Sequence, residues 1–228
     1  MSIDVSRVGS LEIPETAVEI SRAAFKVIVS YWSLFKRRFP WRETMDPWAV
    51  LLAELLLIQT DAAKVATIFP ELLKRIPSPC PPPREEELQE LLRPLGLWRQ
   101  RARTISAICA ELSKRGCSVP CSYEELVRLP GIGPYVAAAT AVVACGARLP
   151  VLDVNTARII SRVALGKDPG PRYSYDPLLR RLAERTPLGR EELLAALDFA
   201  AQICTKKRPK CGVCPIRGMC KYYKSRAF

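Results

Sequence analysis

The sequence contains no histidine, and this absence excludes several kinds of chemistry at once. Without an imidazole there is no Ser-His-Asp triad, no histidine-ligated zinc and no histidine acid-base catalysis. Long apolar runs are also missing, since no stretch approaches the roughly 20 residues of a membrane span. The first residues lack the basic stretch and apolar core of a signal peptide. We therefore expect a cytoplasmic protein without a membrane segment.

Side-chain amides are scarce as well, because Asn155 is the one asparagine and glutamine occurs four times. A shortage of thermolabile amides is typical of thermophilic proteins. Acidic residues are outnumbered: 35 Lys and Arg face 23 Asp and Glu, which leaves a net charge of +12. A strongly basic chain of 228 residues with 49% apolar residues predicts a globular protein of one or two domains that binds a polyanion, with nucleic acid as the first candidate.

Strand-like alternation of apolar and polar residues is absent, whereas helical periodicity recurs along the chain. The sequence therefore predicts an all-α protein. The Asp46-Pro47 pair is expected to open a helix that is apolar on every side and hence buried. The predicted helices are 17–38, 48–58, 61–75, 85–93, 99–115, 122–129, 134–146, 154–165, 176–185 and 190–204.

A glycine-rich turn lies between two of these predicted helices and includes Leu129, Gly131, Ile132 and Gly133. Glycines permit positive φ in such a turn, and with the N-terminus of the following helix the turn presents backbone N–H groups that can bind a phosphate. An ordinary connection between packed helices is the alternative. The capping pattern that begins at Ser122 and the basic chain favour phosphate binding without base recognition.

Four cysteines are spaced C-x6-C-x2-C-x5-C near the end of the sequence: Cys204, Cys211, Cys214 and Cys220. Four thiolates this close in sequence can converge on one metal centre. A zinc site and paired disulfides are the alternatives, but zinc ribbons usually use two C-x2-C pairs and only one occurs here. Basic residues stand inside the first cysteine interval, and we interpret them as phosphate contacts rather than only a solvated charge run: Lys206, Lys207, Arg208 and Lys210.

Two carboxyl groups stand out from their neighbours. Glu54 is the one ionisable residue between Trp48 and Ile58, so desolvation is expected to raise its pKa and favour the protonated acid. Asp153 precedes a predicted helix, whose dipole favours the ionised carboxylate. The alternatives are structural roles: a hydrogen-bonded buried carboxyl for Glu54 and a helix cap for Asp153. One acid and one anion together are suited to cleaving an N-glycosidic bond.

Three segments resemble the helix-hairpin-helix DNA glycosylases related to endonuclease III: the turn Leu-Pro-Gly-Ile-Gly, Asp153 about twenty residues later, and the cysteine spacing. Phe-Pro-Trp-Arg-Glu-Thr from residue 39 and Glu-Leu-Leu-Leu-Ile-Gln-Thr from residue 54 are similar to the MutY and thymine-mismatch branches. The resemblance implies a prokaryotic enzyme with a six-helix lobe, residues 39–147, and a [4Fe-4S] cluster lobe, residues 1–38 and 148–228. It also implies that Glu54 contacts or protonates the flipped base, while Asp153 supports the sugar cation and the water.

The lyase branch has a nucleophilic lysine two residues after the second glycine, where this sequence has Tyr135. No lysine occurs between Lys114 and Lys167, so we expect no Schiff base. Tyr135 is a candidate for the base pocket, with plain core packing as its alternative. The resemblance makes Ile58 and Gln59 candidates to contact the orphaned opposite base.

The predicted function is a monofunctional glycosylase that acts as a monomer on double-stranded DNA and removes thymine or uracil mispaired with guanine. A MutY-type adenine glycosylase and a noncatalytic DNA-binding module are the alternatives. MutY enzymes continue into a further domain, whereas this chain ends eight residues after Cys220, and Gln59 resembles MutY. The cysteines outside the tail are expected mainly to be small core or surface residues: Cys80, Cys109, Cys117, Cys121 and Cys145. A disulfide between Cys117 and Cys121 is the alternative prediction, since intracellular disulfides occur in hyperthermophiles.

Overall fold

The computed structural model describes residues 13–226. Within that range the chain forms helices and no strands, apart from one antiparallel bridge between Leu149 and Leu188. The prediction of an all-α fold is confirmed. Residues 1–12 and 227–228, which the resemblance places in the cluster lobe, lie outside the described residues. No helix in the described range is long and apolar enough to cross a membrane.

The α-helices follow the predicted order, with shorter bounds at several ends. They are α1 Glu15–Ser30, α2 Pro47–Leu57, α3 Ala62–Arg75, α4 Glu85–Leu92, α5 Trp98–Ser113, α6 Tyr123–Leu126, α7 Pro134–Cys145, α8 Val154–Ile160, α9 Pro177–Glu184, α10 Arg190–Gln202 and α11 Lys221–Ser225. A π-helical turn, Ser161–Leu165, extends α8. The short helix α11 was not predicted.

The chain divides into two compact units. The first unit comprises the chain through Lys36 together with the chain from Arg148 onward, and the second comprises Arg37–Ala147. In the first unit α1 and α8 both pack against α10. In the second unit α2 packs against α7.

Helix α2 is buried on all sides, as its apolar sequence predicts. Every residue from Trp48 to Leu56 is buried, and α7 is buried from Val136 to Ala144. The many alanines of α7 let its backbone come close to α2. Asp46 caps α2, because its Oδ1 accepts a hydrogen bond from the Trp48 N–H at 3.1 Å.

The first helix is shorter than predicted, and its end is set by distant contacts. Helix α1 stops at Ser30 and is followed by a 3₁₀ turn, Trp32–Leu34, instead of continuing to residue 38. The Trp32 indole donates to Asp198 at 2.9 Å, and Phe35 packs on Phe199 with ring centroids 5.7 Å apart. Side-chain contacts with α10 therefore override the local helical pattern.

Two disulfides lie within the second unit, and neither is the predicted one. Cys80 bonds to Cys117, and Cys121 bonds to Cys145. The expectation that Cys80, Cys117, Cys121 and Cys145 are mainly core or surface thiols is therefore wrong, and so is the alternative bridge between Cys117 and Cys121. Cys121 precedes α6 and bonds to the last residue of α7, which packs against α6. Cys117, whose φ is +61°, bonds to Cys80 in the proline-rich segment 79–83. Cys109 remains a buried thiol.

Candidate functional site

The glycine turn joins α6 to α7 as a hairpin between two helices. Ser122 caps α6, since its Oγ accepts a hydrogen bond from the Glu125 N–H at 3.2 Å. Gly131 has φ at +72°, and a Cβ at this position would lie 2.8 Å from Cγ2 of Thr104. Only glycine fits this position, for its backbone angle and for its lack of a side chain.

The hairpin exposes its backbone and buries its apolar side chains. Leu129 and Ile132 are 3% and 6% exposed, whereas Gly131 and Gly133 are exposed. Two of the predicted DNA-binding residues therefore have their side chains in the core and can offer only backbone groups. Gly133 is the N-cap of α7, so the first N–H groups of that helix are available beside the turn.

Two candidate catalytic residues lie in the second unit with the hairpin. Glu54 is 5% exposed on α2, as its apolar neighbours predicted. Tyr135 is half-buried in the first turn of α7. Ile58 and Gln59 directly follow α2, where Ile58 is 40% exposed and Gln59 is exposed with φ at +53°.

Asp153 lies in the first unit and is the N-cap of α8. Its Oδ1 accepts hydrogen bonds from the Thr156 N–H at 2.8 Å and the Thr156 hydroxyl at 3.0 Å. Its Oδ2 accepts from Nδ2 of Asn155 at 2.7 Å. Both carboxylate oxygens are therefore held, and the orientation of the group is fixed by residues two and three positions along the same helix.

A buried arginine continues this hydrogen-bond chain and was not predicted from the sequence. Arg158 is 6% exposed and donates to Oδ1 of Asn155 at 3.0 Å and to the Cys204 carbonyl at 2.7 Å. Burial lowers its pKa. Asp153 is thus connected through two side chains to the first cysteine of the tail.

The Tyr173 phenol also experiences the Asp153 charge. Burial is the larger cause and the Asp153 charge the second, and both raise the pKa of this phenol.

The four tail cysteines line one cavity together with apolar side chains that include Val163, Phe199 and Ile216. The cavity-lining cysteines are Cys204, Cys211, Cys214 and Cys220. Burial raises the pKa of the Cys214 thiol to about 12, so a metal centre is needed to hold it as a thiolate. Within residues 13–226, no three potential ligand side chains are grouped closely enough to hold a single metal ion.

Arg162 supports this cavity from inside the π-helical turn. Its side chain is 1% exposed and donates to Sγ of Cys204 at 3.3 Å and to the Asp168 carboxylate at 2.6 Å. Burial acts to lower its pKa, but Asp168 and Cys204 outweigh burial and the pKa is raised. Arg162 also donates to the Lys206 carbonyl at 3.0 Å, so it holds the start of the basic loop.

The basic loop between the first two tail cysteines presents its charges to solvent. The exposed basic residues are Lys206, Lys207, Arg208 and Lys210. The Lys210 N–H donates to the Ile203 carbonyl at 2.9 Å, which closes the loop at its base. The loop backbone is therefore anchored while its cationic side chains are available to phosphates.

Comparison with known proteins places these features in a family. The HhH-GPD superfamily of base excision DNA repair proteins matches residues 52–184, and the iron-sulfur binding domain of endonuclease III matches residues 204–220. A thymine-DNA glycosylase of Aeropyrum pernix is 40% identical over 192 residues, which cover 81% of this chain and 86% of that protein. A thymine/uracil-DNA glycosylase of Pyrobaculum aerophilum is 37% identical, with 92% of this chain and 95% of that protein covered.

The fold agrees with these matches. The solved structure of a thermostable thymine-DNA glycosylase superposes with a TM-score of 0.81 and 28% sequence identity, covering 91% of this chain and 98% of that one. Sequence and structure both match over most of the chain, and the matched segments contain the hairpin, both candidate carboxyl groups and the four tail cysteines. The chain therefore belongs to the HhH-GPD superfamily of base excision DNA repair proteins.

Proposed function

We propose that the protein is a monofunctional DNA glycosylase that hydrolyses the N-glycosidic bond of thymine or uracil mispaired with guanine. The observation that carries the proposal is the Asp153 carboxylate, whose two oxygens are both held by hydrogen-bond donors at the N-terminus of α8. The thymine and thymine/uracil glycosylases to which the chain is similar support this choice of substrate.

The two carboxyl groups have different proposed roles. Glu54, buried on α2, contacts the flipped base and donates a proton as the base leaves. Asp153 stabilises the positive charge that develops on the sugar and orients the attacking water. Asn155 and Arg158 keep the Asp153 carboxylate in one orientation. Asn155 donates to Oδ2 of Asp153, and Arg158 donates both to Asn155 and to the Cys204 carbonyl just after α10.

Water rather than an amine is the proposed nucleophile. Tyr135 stands where the lyase branch has its lysine, and no lysine occurs between Lys114 and Lys167. The product is therefore an intact abasic site, because a lyase of this family breaks the strand through a Schiff base to its amine, and strand breakage here needs added alkali.

Double-stranded DNA with a mismatched base is the proposed partner, bound by a monomer. The exposed backbone of Gly131 and Gly133 binds phosphate in the second unit, and the anchored basic loop binds phosphate in the first. Ile58 and Gln59 occupy the gap that the flipped base leaves. We assign residues 39–147 to the six-helix lobe and residues 1–38 and 148–228 to the cluster lobe.

A [4Fe-4S] cluster is the proposed cofactor of the tail. The donor set fits, because four cysteines line one apolar cavity and their spacing contains one C-x2-C pair, whereas zinc ribbons usually use two. When bound, the cluster ties the basic loop to the helical core. Cys204 is the ligand that also receives a hydrogen bond from Arg162.

The test is strand cleavage of end-labelled duplexes that contain T/G, U/G, A/G or A/8-oxoguanine, each assayed with and without alkali. We expect cleavage of the T or U strand only after alkali. Cleavage of the A strand instead would move the protein to the adenine branch, and cleavage without alkali would contradict the monofunctional mechanism.

A matched pair of variants separates catalysis from helix capping. Asp153→Asn removes the proposed catalytic carboxylate, and we expect the excision rate to fall by at least about 100-fold. Asp176→Asn makes the same change at another helix N-cap, since Asp176 caps α9 and accepts a hydrogen bond from the Leu178 N–H at 2.9 Å. Asp176→Asn should keep the wild-type rate. Full activity of Asp153→Asn would mean that Asp153 only caps α8, and it would overturn the catalytic role proposed for this carboxylate.

A further inference from the structure

Two loop tips in the second unit have backbone conformations that L-residues rarely adopt. Gln59, just after α2, has φ at +53°, and Leu97, just before α5, has φ at +47°. Both tips present an apolar side chain to solvent: Leu97 is 49% exposed, and Ile58, the residue before Gln59, is 40% exposed. Strained residues persist only where the surrounding structure fixes them, and they are concentrated at functional sites.

One buried side chain holds both loops. Arg101 on α5 is 6% exposed, and its two terminal nitrogens lie 2.6 to 3.1 Å from five acceptors, three of which share the two N–H groups of Nη2. Its acceptors are the carbonyl oxygens of Leu56, Ile58, Leu95 and Gly96 and the hydroxyl of Thr60. Ile58 and Thr60 belong to the loop after α2, Leu56 lies in the last turn of α2, and Leu95 and Gly96 belong to the segment before α5. The guanidinium therefore joins the end of α2 and its following loop to the segment before α5.

No acceptor of Arg101 is a carboxylate, and burial lowers its pKa. Burying a guanidinium without a counterion is unfavourable, and an apolar side chain would fill the same space without desolvating a charge. What the guanidinium adds is its rigid planar set of donors, which fixes several carbonyl groups in one geometry. The arrangement is therefore suited to positioning the loops rather than only to filling the core.

We infer that Arg101 is a positioning residue for recognition of the base opposite the target. It sets the backbone of Ile58 and Gln59 and the adjacent Leu97 tip in the geometry in which they meet the orphaned base, and it does not touch DNA itself. This inference rests on the proposed function, in which Ile58 and Gln59 fill the gap in the duplex.

The test compares uracil excision from U/G and U/A duplexes under single-turnover conditions. Arg101→Met keeps the apolar stem and removes every donor. We expect the ratio of the U/G rate to the U/A rate to fall by about tenfold, which corresponds to about 1.4 kcal/mol of lost discrimination. Arg103→Met is the matched control, because Arg103 lies on the same helix with its side chain 75% exposed, and it should keep the wild-type ratio.

Thr60→Val provides a second variant in case Arg101→Met does not fold, as judged by circular dichroism. It retains the shape of the side chain and removes only the hydroxyl that accepts from Arg101 at 2.6 Å. We expect a drop of about threefold in the same ratio. Arg101→Lys, which restores part of the donor set, should recover part of the discrimination.

A binding measurement that needs no turnover accompanies the kinetics. 2-Aminopurine opposite a stable abasic analogue reports contact with the orphaned base through its fluorescence. Wild-type protein and Arg103→Met should change the emission, and Arg101→Met should leave it close to that of free DNA at saturating protein.

The outcomes separate this inference from the proposed function. A wild-type protein that excises uracil equally from U/G and U/A is a glycosylase without opposite-base recognition, which would overturn the role of Arg101 and the preference for mispaired bases while leaving the glycosylase activity and its catalytic residues in place. A folded Arg101→Met with the wild-type ratio and emission, or an equal loss in Arg103→Met, would also overturn it. A wild-type protein inactive on every duplex would overturn the proposed function and the inference together.

Discussion

Removing the Cys121–Cys145 disulfide should destabilise the second unit by an amount that follows from its position. The bond closes a loop of 24 residues that contains α6, the hairpin and α7. The loss of chain entropy in the unfolded state for a loop of this length is worth about 3.5 kcal/mol. We expect Cys121→Ser/Cys145→Ser to lower the free energy of unfolding of this unit by about 3 kcal/mol, since compact unfolded chains gain less entropy than ideal ones.

Tryptophan fluorescence during guanidinium denaturation measures this effect, because the four tryptophans include three in the second unit: Trp41, Trp48 and Trp98. The Cys80–Cys117 bond provides the comparison, since its separation of 37 residues predicts a loss larger by only about 0.4 kcal/mol. Visible absorbance of the iron-sulfur centre reports on the other unit. Its unfolding transition should occur at the wild-type guanidinium concentration in both disulfide variants.

Thiol counting gives the direct control. The nine cysteines less the four in disulfides leave five thiols, which should react in denatured wild-type protein after the metal is removed. Nine reactive thiols without reductant would refute the disulfides. A stability change below about 0.5 kcal/mol in Cys121→Ser/Cys145→Ser would refute the argument from loop entropy.

Two further predictions concern the same unit. Gly131→Ala should destabilise it by about 2 kcal/mol or more, because its φ of +72° and the contact at 2.8 Å both oppose a Cβ, whereas the open site of Gly133 should tolerate alanine within about 0.5 kcal/mol. Equal losses in the free energy of unfolding for Gly131→Ala and Gly133→Ala, measured by denaturation, would contradict this prediction. Burial raises the pKa of the Cys109 thiol to about 11 from an ordinary 9.0. Between pH 9 and 11 the unfolded thiol ionises while the folded one stays protonated, so stability should fall by about 2 kcal/mol relative to Cys109→Ala. If the free energies of unfolding of the wild type and Cys109→Ala fall in parallel between pH 9 and 11, the predicted effect of the Cys109 thiol is contradicted.

Features with local causes were the ones that the sequence predicted well. Asp46 and Ser122 cap helices through contacts two or three residues away, so their patterns are visible in a short window. The burial of Glu54 follows from an apolar helix with no polar side. The cysteine tail is equally local, since its spacing is complete within seventeen residues.

Features that depend on distant partners were missed. The end of α1 is set by Trp32 and Asp198, which are 166 residues apart in sequence. Disulfide partners depend on which helix ends meet, and sequence spacing does not specify that. Arg101 and Arg158 are two arginines among many in the sequence, and they become distinctive only when buried against carbonyl groups.

The arrangement of the two units along the chain has a consequence for synthesis. Helix α1 carries an apolar face that packs on α10, which begins only at Arg190, whereas within Arg37–Ala147 α2 packs on α7 and α4 packs on α5. On a ribosome these contacts within the second unit can form before α8 exists, while the contact of α1 with α10 must wait for more than 150 residues of later chain. Folding during translation should thus start in the middle of the sequence, and the first helix to emerge should be among the last to be buried.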